Sequence, residues 1–81
     1  MTLHVGMFLF DRATALDLTG PLEVFAAANG AAARDGAPPP YATTVVAAGP
    51  GPYRAESGIL LAPDAGLDHG PFDTVLVPGG A

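Results

Sequence analysis

The sequence predicts an α/β domain with a mostly parallel sheet. Three features support this prediction: a short apolar run near the amino terminus, an apolar helical stripe after it, and a second segment rich in β-forming residues. In this order they predict a strand–helix–strand unit with two parallel strands. The chain has 81 residues, including 11 glycines and 9 prolines, so its core must depend on a few large side chains.

The first predicted strand covers residues 3–10, where an almost unbroken apolar run ends at the charged pair Asp11 and Arg12. Such a run is typical of a strand that is buried on both faces of a parallel sheet. It is much shorter than the ~18 residues that a membrane span needs, and no Lys or Arg precedes it. We therefore expect neither a signal peptide nor a membrane partner.

The helix that follows has two possible starts. In the first, Thr14 is the N-cap and Asp17, at the third helical position, completes a capping box by reaching back. In the second, Thr19 is the N-cap and Pro21 lies in the first turn, where its missing N–H costs little. The sequence leaves both starts open.

From either start the helix is predicted to continue to residue 28, with one apolar stripe facing the sheet. That stripe consists of Leu18, Leu22 and Phe25. Asn29 and Gly30 predict the end of the helix, because both residues favour the left-handed conformation of a helix C-terminus. Residues 31–40 end in three prolines and predict a surface linker.

The rest of the chain is predicted to be strands and turns. We expect a β-rich strand at residues 41–48, an antiparallel pair at 53–56 and 59–62 around Ser57 and Gly58, and a last buried strand at 74–77. Residues 63–71 predict a loop with room for at most one helical turn. Neither an internal repeat nor a domain boundary interrupts residues 1–81.

Charge and composition narrow the possible functions. With 3 basic and 8 acidic residues, the net charge of -5 has the wrong sign for a surface that neutralises phosphates. Any contact with DNA would therefore need a region outside this chain. There is no Cys, which excludes disulfides, thiolate metal sites and a cysteine nucleophile within these residues and is consistent with a cytoplasmic protein.

Two features are candidates for a functional site. Asp17 follows the first strand, and Gly79 and Gly80 follow the last, and in open α/β sheets ligands bind outside the carboxyl ends of the strands. If these strands are neighbours, the carboxylate and the glycine backbone face one crevice, where consecutive N–H groups suit an oxyanion. Taken singly, Asp17 also fits a helix cap and the glycines also fit a simple turn. Leu16 and Leu18 flank Asp17 and predict a partly desolvated carboxyl.

No metal or cofactor is predicted. His4 and His69 are the two histidines, with Asp68 and Asp73 near the second, but a metal site needs three or four converging ligands. The first strand is followed by Asp-Arg-Ala rather than by the glycine-rich loop of a dinucleotide site, and the phosphate-binding Walker pattern is missing.

The motifs of the chain resemble those of the ThiJ/PfpI (glutamine amidotransferase-like) superfamily. Residues 10–11 (FD) and 16–25 (LDLTGPLEVF) are similar to its FDG…LDLxGPxEVF signature, and residues 57–64 (SGILLAPD) and 72–80 (FDTVLVPGG) to its SGLxLxPD…DTLLVPGG block. The resemblance implies a flavodoxin-like three-layer sandwich. Residues 1–81 would be its incomplete amino-terminal part, and residues 74–77 would form an exposed edge strand.

The resemblance also implies roles for the candidate residues. The position of Asp17 is that of an acid that hydrogen-bonds a nucleophilic cysteine, and Gly79 and Gly80 line the oxyanion side of the pocket. The elbow that carries the cysteine would lie beyond Ala81, so the chain would be truncated before it. Family members often form homodimers, and we expect the same of the full-length protein.

Two classes within the superfamily share this signature. The first is the ligand-sensing domain of GlxA-type AraC-family transcriptional regulators, which bind DNA through a separate helix-turn-helix region. The second is free-standing enzymes similar to isonitrile hydratase, a lyase. The sequence favours the regulator class, with a small molecule as its ligand, and keeps the enzyme as the alternative.

Overall fold

One helix and four parallel strands form the body of the molecule. A computed structural model describes residues 1–80, and Ala81 lies outside them. In chain order the elements are β1 (Leu3–Phe8), α1 (Ala15–Arg34), β2 (Tyr41–Ala47), β3 (Tyr53–Arg54), β4 (Leu60–Leu61), β5 (Ala65–Gly66) and β6 (Thr74–Leu76). The predicted α/β class, with a mostly parallel sheet, is confirmed.

The main sheet has the strand order β5-β2-β1-β6, and every neighbouring pair is parallel. Val5 in β1 lies opposite Thr43 in β2 and Thr74 in β6. Leaving β5 aside, the order β2-β1-β6 matches the first three strands of the flavodoxin-like order 2-1-3-4-5. The strand β6 lies at the edge of this sheet, as the resemblance implied, and the expectation of a buried strand at residues 74–77 is wrong because its side chains are largely exposed.

The core lies between the sheet and α1. Successive side chains of a strand point to opposite faces, so Val5, Met7 and Leu9 share the face under the helix. Met7 and Leu9 are fully buried there. They pack with the predicted helical stripe, in which Leu18 is buried and the other two members are partly buried. The predicted stripe is therefore confirmed.

The opposite face of the sheet is less covered. A methyl group added to Gly6 would lie 2.7 Å from the ring of Phe72, so glycine allows this ring to pack on β1. Phe8 and Phe10 pack together, with ring centroids 5.7 Å apart. Val75 and Val77 at the edge remain 55% and 68% exposed. Residues 1–80 thus form two of the three layers of the sandwich, the sheet and one helix layer.

The helix begins at the first of its two predicted starts. Thr14 is the N-cap, with extended backbone angles, and Pro21 lies inside the helix. The capping box itself is wrong, since no side chain caps this end. Instead the backbone N–H of Asp17 donates to the carbonyl of Thr14 at 3.0 Å, and the Asp17 carboxylate is engaged elsewhere.

The predicted end at Asn29 and Gly30 is wrong, because the helix continues to Arg34. The side chain of Asn29 bonds both the N–H and the carbonyl of Tyr41, at 3.0 and 2.9 Å, so it anchors β2 rather than ending α1. The helix stops at Gly36, which has φ 73°. There the N–H of Gly36 bonds the carbonyl of Ala33 and that of Ala37 bonds the carbonyl of Ala32, which is a Schellman ending.

The predicted antiparallel pair is confirmed as β3 and β4, with Tyr53 opposite Leu61. The expectation that residues 63–71 are only a loop is wrong, because Ala65 and Gly66 extend the main sheet as β5. Asp64 positions this strand: its carboxylate accepts the N–H of Val45 at 2.9 Å, and its own N–H donates to the Val45 carbonyl. Within residues 1–80, α1 lacks the length of apolar sequence needed to cross a membrane.

Candidate functional site

The sheet creates a crevice at the carboxyl ends of β1 and β6. From β1 the chain crosses through α1 to β2 on one side, and it later returns to β6 on the other side of β1. The strand order therefore reverses at β1, which makes this position a topological switch point. Ligands of open α/β sheets bind at such points.

The structure brings the two candidate features together in this crevice. The carboxylate of Asp17 accepts a hydrogen bond from the N–H of Gly79 through Oδ2 at 3.0 Å. On the other side of the same residue, the N–H of Thr14 donates to the Gly79 carbonyl at 2.7 Å. The first turn of α1 thus holds the loop after β6 by both polar groups of Gly79.

Gly80 lies against the loop that follows β1. It forms an antiparallel bridge with Ala13. A methyl group on Gly80 would lie 2.7 Å from the carbonyl oxygen of Arg12, 3.0 Å from the ring of Phe10 and 3.2 Å from the Cα of Ala13. Only glycine allows this approach of two backbones.

The surroundings of Asp17 differ from the prediction. Its side chain is exposed, and of its two flanking residues Leu18 is buried whereas Leu16 is 73% exposed. The reason is the geometry of the helix, in which residues two positions apart point about 200° apart at 3.6 residues per turn. Residues 1–80 therefore do not desolvate this carboxyl, which is free to meet a ligand from solvent.

A strained arginine next to the crevice was missed by the sequence reasoning. Arg12 has φ 70°, a left-handed conformation that costs a non-glycine residue about 1–2 kcal/mol. Its N–H donates to the carbonyl of Arg54 at 2.7 Å, and the N–H of Glu56 donates to the carbonyl of Ala13 at 2.9 Å. The loop after β1 is therefore joined to the β3–β4 hairpin. The charged pair that ends the first strand was visible in the sequence, but its partner depends on the tertiary fold.

The histidines lie at the other end of the sheet. His4 and His69 line a cavity of about 400 Å³ together with Phe72, whose ring centroid is 5.9 Å from that of His69. Asp73 bonds the backbone of His4 rather than its ring. In residues 1–80 no three His, Cys, Asp or Glu side chains converge in a group able to hold a metal ion.

Solved structures share this fold. A ThiJ/PfpI family protein from Pseudomonas syringae superposes with a TM-score of 0.72 at 21% identity, over 99% of this chain and 30% of its own. The VC2308 protein superposes with a TM-score of 0.64 at 16% identity, and the match covers 100% of this chain and 38% of VC2308. The DJ-1 superfamily protein Atu0886 from Agrobacterium tumefaciens superposes with a TM-score of 0.63 at 20% identity, and the match covers 99% of this chain and 38% of Atu0886.

The fold is that of a part of the ThiJ/PfpI and DJ-1 proteins. The chain spans about a third of the length of these structures. No protein-family model matches the sequence, and no curated protein sequence matches it either. The shared architecture agrees with the partial flavodoxin-like fold derived above from the strand order.

The crevice has two kinds of polar group to offer a ligand. Oδ2 of Asp17 is bonded to Gly79, whereas Oδ1 has no hydrogen-bond partner among residues 1–80. Because the N–H of Gly79 is already donated to Asp17, an oxyanion here would depend on other donors, among which Gly80 is nearest along the chain. The arrangement can therefore accept a proton or hydrogen bond at Asp17 beside a wall of glycine backbone.

Proposed function

We propose that this chain is the amino-terminal part of a ThiJ/PfpI-like domain that senses a small molecule in an AraC-type transcriptional regulator. The observation that carries the proposal is the contact between Asp17 and Gly79 at the switch point of the sheet. This contact lies where the fold places ligands, and it links the first turn of α1 to the loop after β6. A ligand that bonds Asp17 would therefore alter both elements at once.

The negative charge of the chain indicates that a different region of such a regulator binds DNA. A net charge of -5 does not favour DNA, so reading DNA belongs to a separate basic helical region in the full-length protein. The protein would then act in the cytoplasm, where bacterial-type regulators reach DNA, and a homodimer would match two adjacent half-sites. The part of the protein formed by residues 1–81 supplies the ligand signal.

The test compares two aspartates in the full-length protein. DNA binding is measured by fluorescence anisotropy with the protein's own upstream DNA, with and without a library of small metabolites. We expect at least one compound to change the DNA affinity, and Asp17→Asn to abolish that change. Asp73→Asn is the matched control, because Asp73 also bonds a backbone N–H but at the far end of β1. A full-length protein without a basic helical region would contradict the proposal.

An enzyme similar to isonitrile hydratase is the second candidate. It is favoured by the closeness of an acid, Asp17, to the glycine backbone after β6, where the N–H of Gly80 is the nearest donor left for an oxyanion. Such an enzyme would add water to the isonitrile carbon and release an N-substituted formamide. The nucleophilic cysteine would come from residues outside this chain.

The enzyme is tested by following formamide production from an alkyl isonitrile. Asn at position 17 still offers an amide oxygen to the N–H of Gly79, so Asp17→Asn keeps the loop in place while removing the acid. We expect turnover to fall about 100-fold or more. Unchanged turnover in this variant would exclude Asp17 as the acid.

A further inference from the structure

Two of the three basic residues of this acidic chain line one cavity beside the crevice. The cavity has a volume of about 440 Å³, and both Arg12 and Arg54 contribute to its wall. The third basic residue, Arg34, lies in the last turn of α1. The chain contains only 3 Lys and Arg residues against 8 acidic ones, so this cavity holds most of its basic side chains.

Arg12 is held by its backbone, and Arg54 is held by both its backbone and its side chain. The backbone N–H of Arg12 donates to the carbonyl of Arg54 at 2.7 Å. The guanidinium of Arg54 donates through Nη1 to the carbonyl of Gly58 at 2.7 Å, and the backbone N–H of Arg54 donates to Asp11 Oδ1 at 3.1 Å. One donor of the Arg54 fork is thus used for positioning, and the fork is pre-organised rather than free to rotate.

The backbone conformation of Arg12 is unfavourable for arginine. A φ of 70° is adopted freely by glycine and only at a cost by arginine. The signature that this region resembles, FDG, has glycine at this position. Backbone geometry alone would favour glycine at this position. The backbone therefore does not account for the arginine, and the guanidinium is the group that remains to account for it.

Acidic neighbours limit the charge of a ligand. Asp11 and Glu56 also line the cavity, so two negative side chains accompany the two positive ones. One of the Asp11 oxygens is already bonded to the backbone of Arg54. Because two positive and two negative side chains nearly cancel, a group with a single negative charge suits the cavity better than a doubly charged phosphate.

We propose that Arg12 and Arg54 bind the carboxylate of a small-molecule ligand whose remainder extends into the crevice at Asp17 and Gly79. The two sites adjoin, because the backbone of Arg12 lies against Gly80. Arginine suits this task, since its planar fork matches the two oxygens of a carboxylate. This inference rests on the proposed function, which makes the crevice a small-molecule site.

The test compares an anion with its neutral isostere in the full-length protein. Binding of butyrate and of butyramide is measured by ligand-detected NMR at constant ionic strength. We expect butyrate to bind more tightly than butyramide, and Arg12→Gly and Arg54→Gln each to weaken butyrate about tenfold or more. Arg34→Gln, which removes the same charge far from the cavity, should leave butyrate affinity unchanged. Glu56→Gln should strengthen it.

Three results would overturn the carboxylate site. They are equal binding of butyrate and butyramide, loss of butyrate affinity in Arg34→Gln as large as in Arg12→Gly, and no detectable binding of butyrate. None of them alone contradicts the sensing role, which is measured separately through the effect of metabolites on DNA affinity. Thermal unfolding of each variant identifies any loss of binding that comes from loss of the fold.

Discussion

The two ends of the β1–β6 pair use the same hydrogen bond in different surroundings. At the amino end, Asp73 accepts the N–H of His4 at 2.7 Å and returns its own N–H to the His4 carbonyl at 2.8 Å. At the carboxyl end, Asp17 accepts the N–H of Gly79 at 3.0 Å. The first bond lies one residue before the point at which β1 and β6 begin to pair, and the second bond joins a helix to a loop.

This difference separates a structural aspartate from a candidate functional one. At the amino end, reciprocal bonds between Asp73 and His4 and the ring of Phe72 on Gly6 hold the segment before β6 against β1. At the carboxyl end, Asp17 joins the first turn of α1 to the loop after β6, and the strained Arg12 lies in the loop after β1. An aspartate bonded to a backbone N–H is therefore not informative by itself. Its position at the switch point of the sheet is what supports a role in ligand binding.

The largest difference between the ends should come from adding a methyl group to each glycine. Gly80→Ala forces the new methyl against the backbone oxygen of Arg12, which cannot move without displacing the loop, and we expect a loss of about 2–3 kcal/mol. Gly6→Ala meets the ring of Phe72, including its Cγ at 2.9 Å, so the whole side chain must shift but the backbone need not, and the loss should be about 1–2 kcal/mol. Urea denaturation of the full-length variants measures both. A larger loss for Gly6→Ala would reverse the comparison.

Removing each carboxylate should have a smaller and more equal effect on stability. Asp17 and Asp73 are both exposed, so we expect Asp17→Ala and Asp73→Ala each to cost about 1 kcal/mol. The two variants should differ in function instead, with ligand response lost only in Asp17→Ala. Chemical denaturation and the anisotropy assay, carried out on the same preparations, provide the two measurements. Equal loss of ligand response in both variants would show that the response depends on the fold of β1 and β6 in general.

The features that the sequence could predict depend on local pattern and on the chain direction. The strand–helix–strand unit follows from apolar periodicity. The meeting of Asp17 with Gly79 follows from the rule that parallel strands present their carboxyl ends at one edge. Both need only the order of elements. The same reasoning placed the helix start at Thr14 as one of two options, because Thr14 and Thr19 are equally good caps in isolation.

The features that were missed depend on contacts between distant residues. Asn29 looks like a helix stop, but its side chain bonds the backbone of Tyr41, and this tertiary contact keeps it helical. The two-residue strand β5 carries no periodicity of its own and forms through Asp64. The backbone hydrogen bond between Arg12 and Arg54 joins residues 42 positions apart in the chain. None of these partners could be identified from a local window of sequence.

The smallest effect that we predict concerns the strain at Arg12. Arg12→Gly relieves about 1–2 kcal/mol of left-handed strain but adds about 0.5–1 kcal/mol of chain entropy to the unfolded state, so a net gain of about 0.5 kcal/mol is expected. Arg12→Ala removes the same guanidinium and keeps the strain, which makes it the matched control. Thermal unfolding should therefore rank Arg12→Gly above Arg12→Ala, while both lose butyrate binding. If Arg12→Ala were more stable than Arg12→Gly, the positive φ would cost nothing. The argument from strain for a binding role of the Arg12 side chain would then fail.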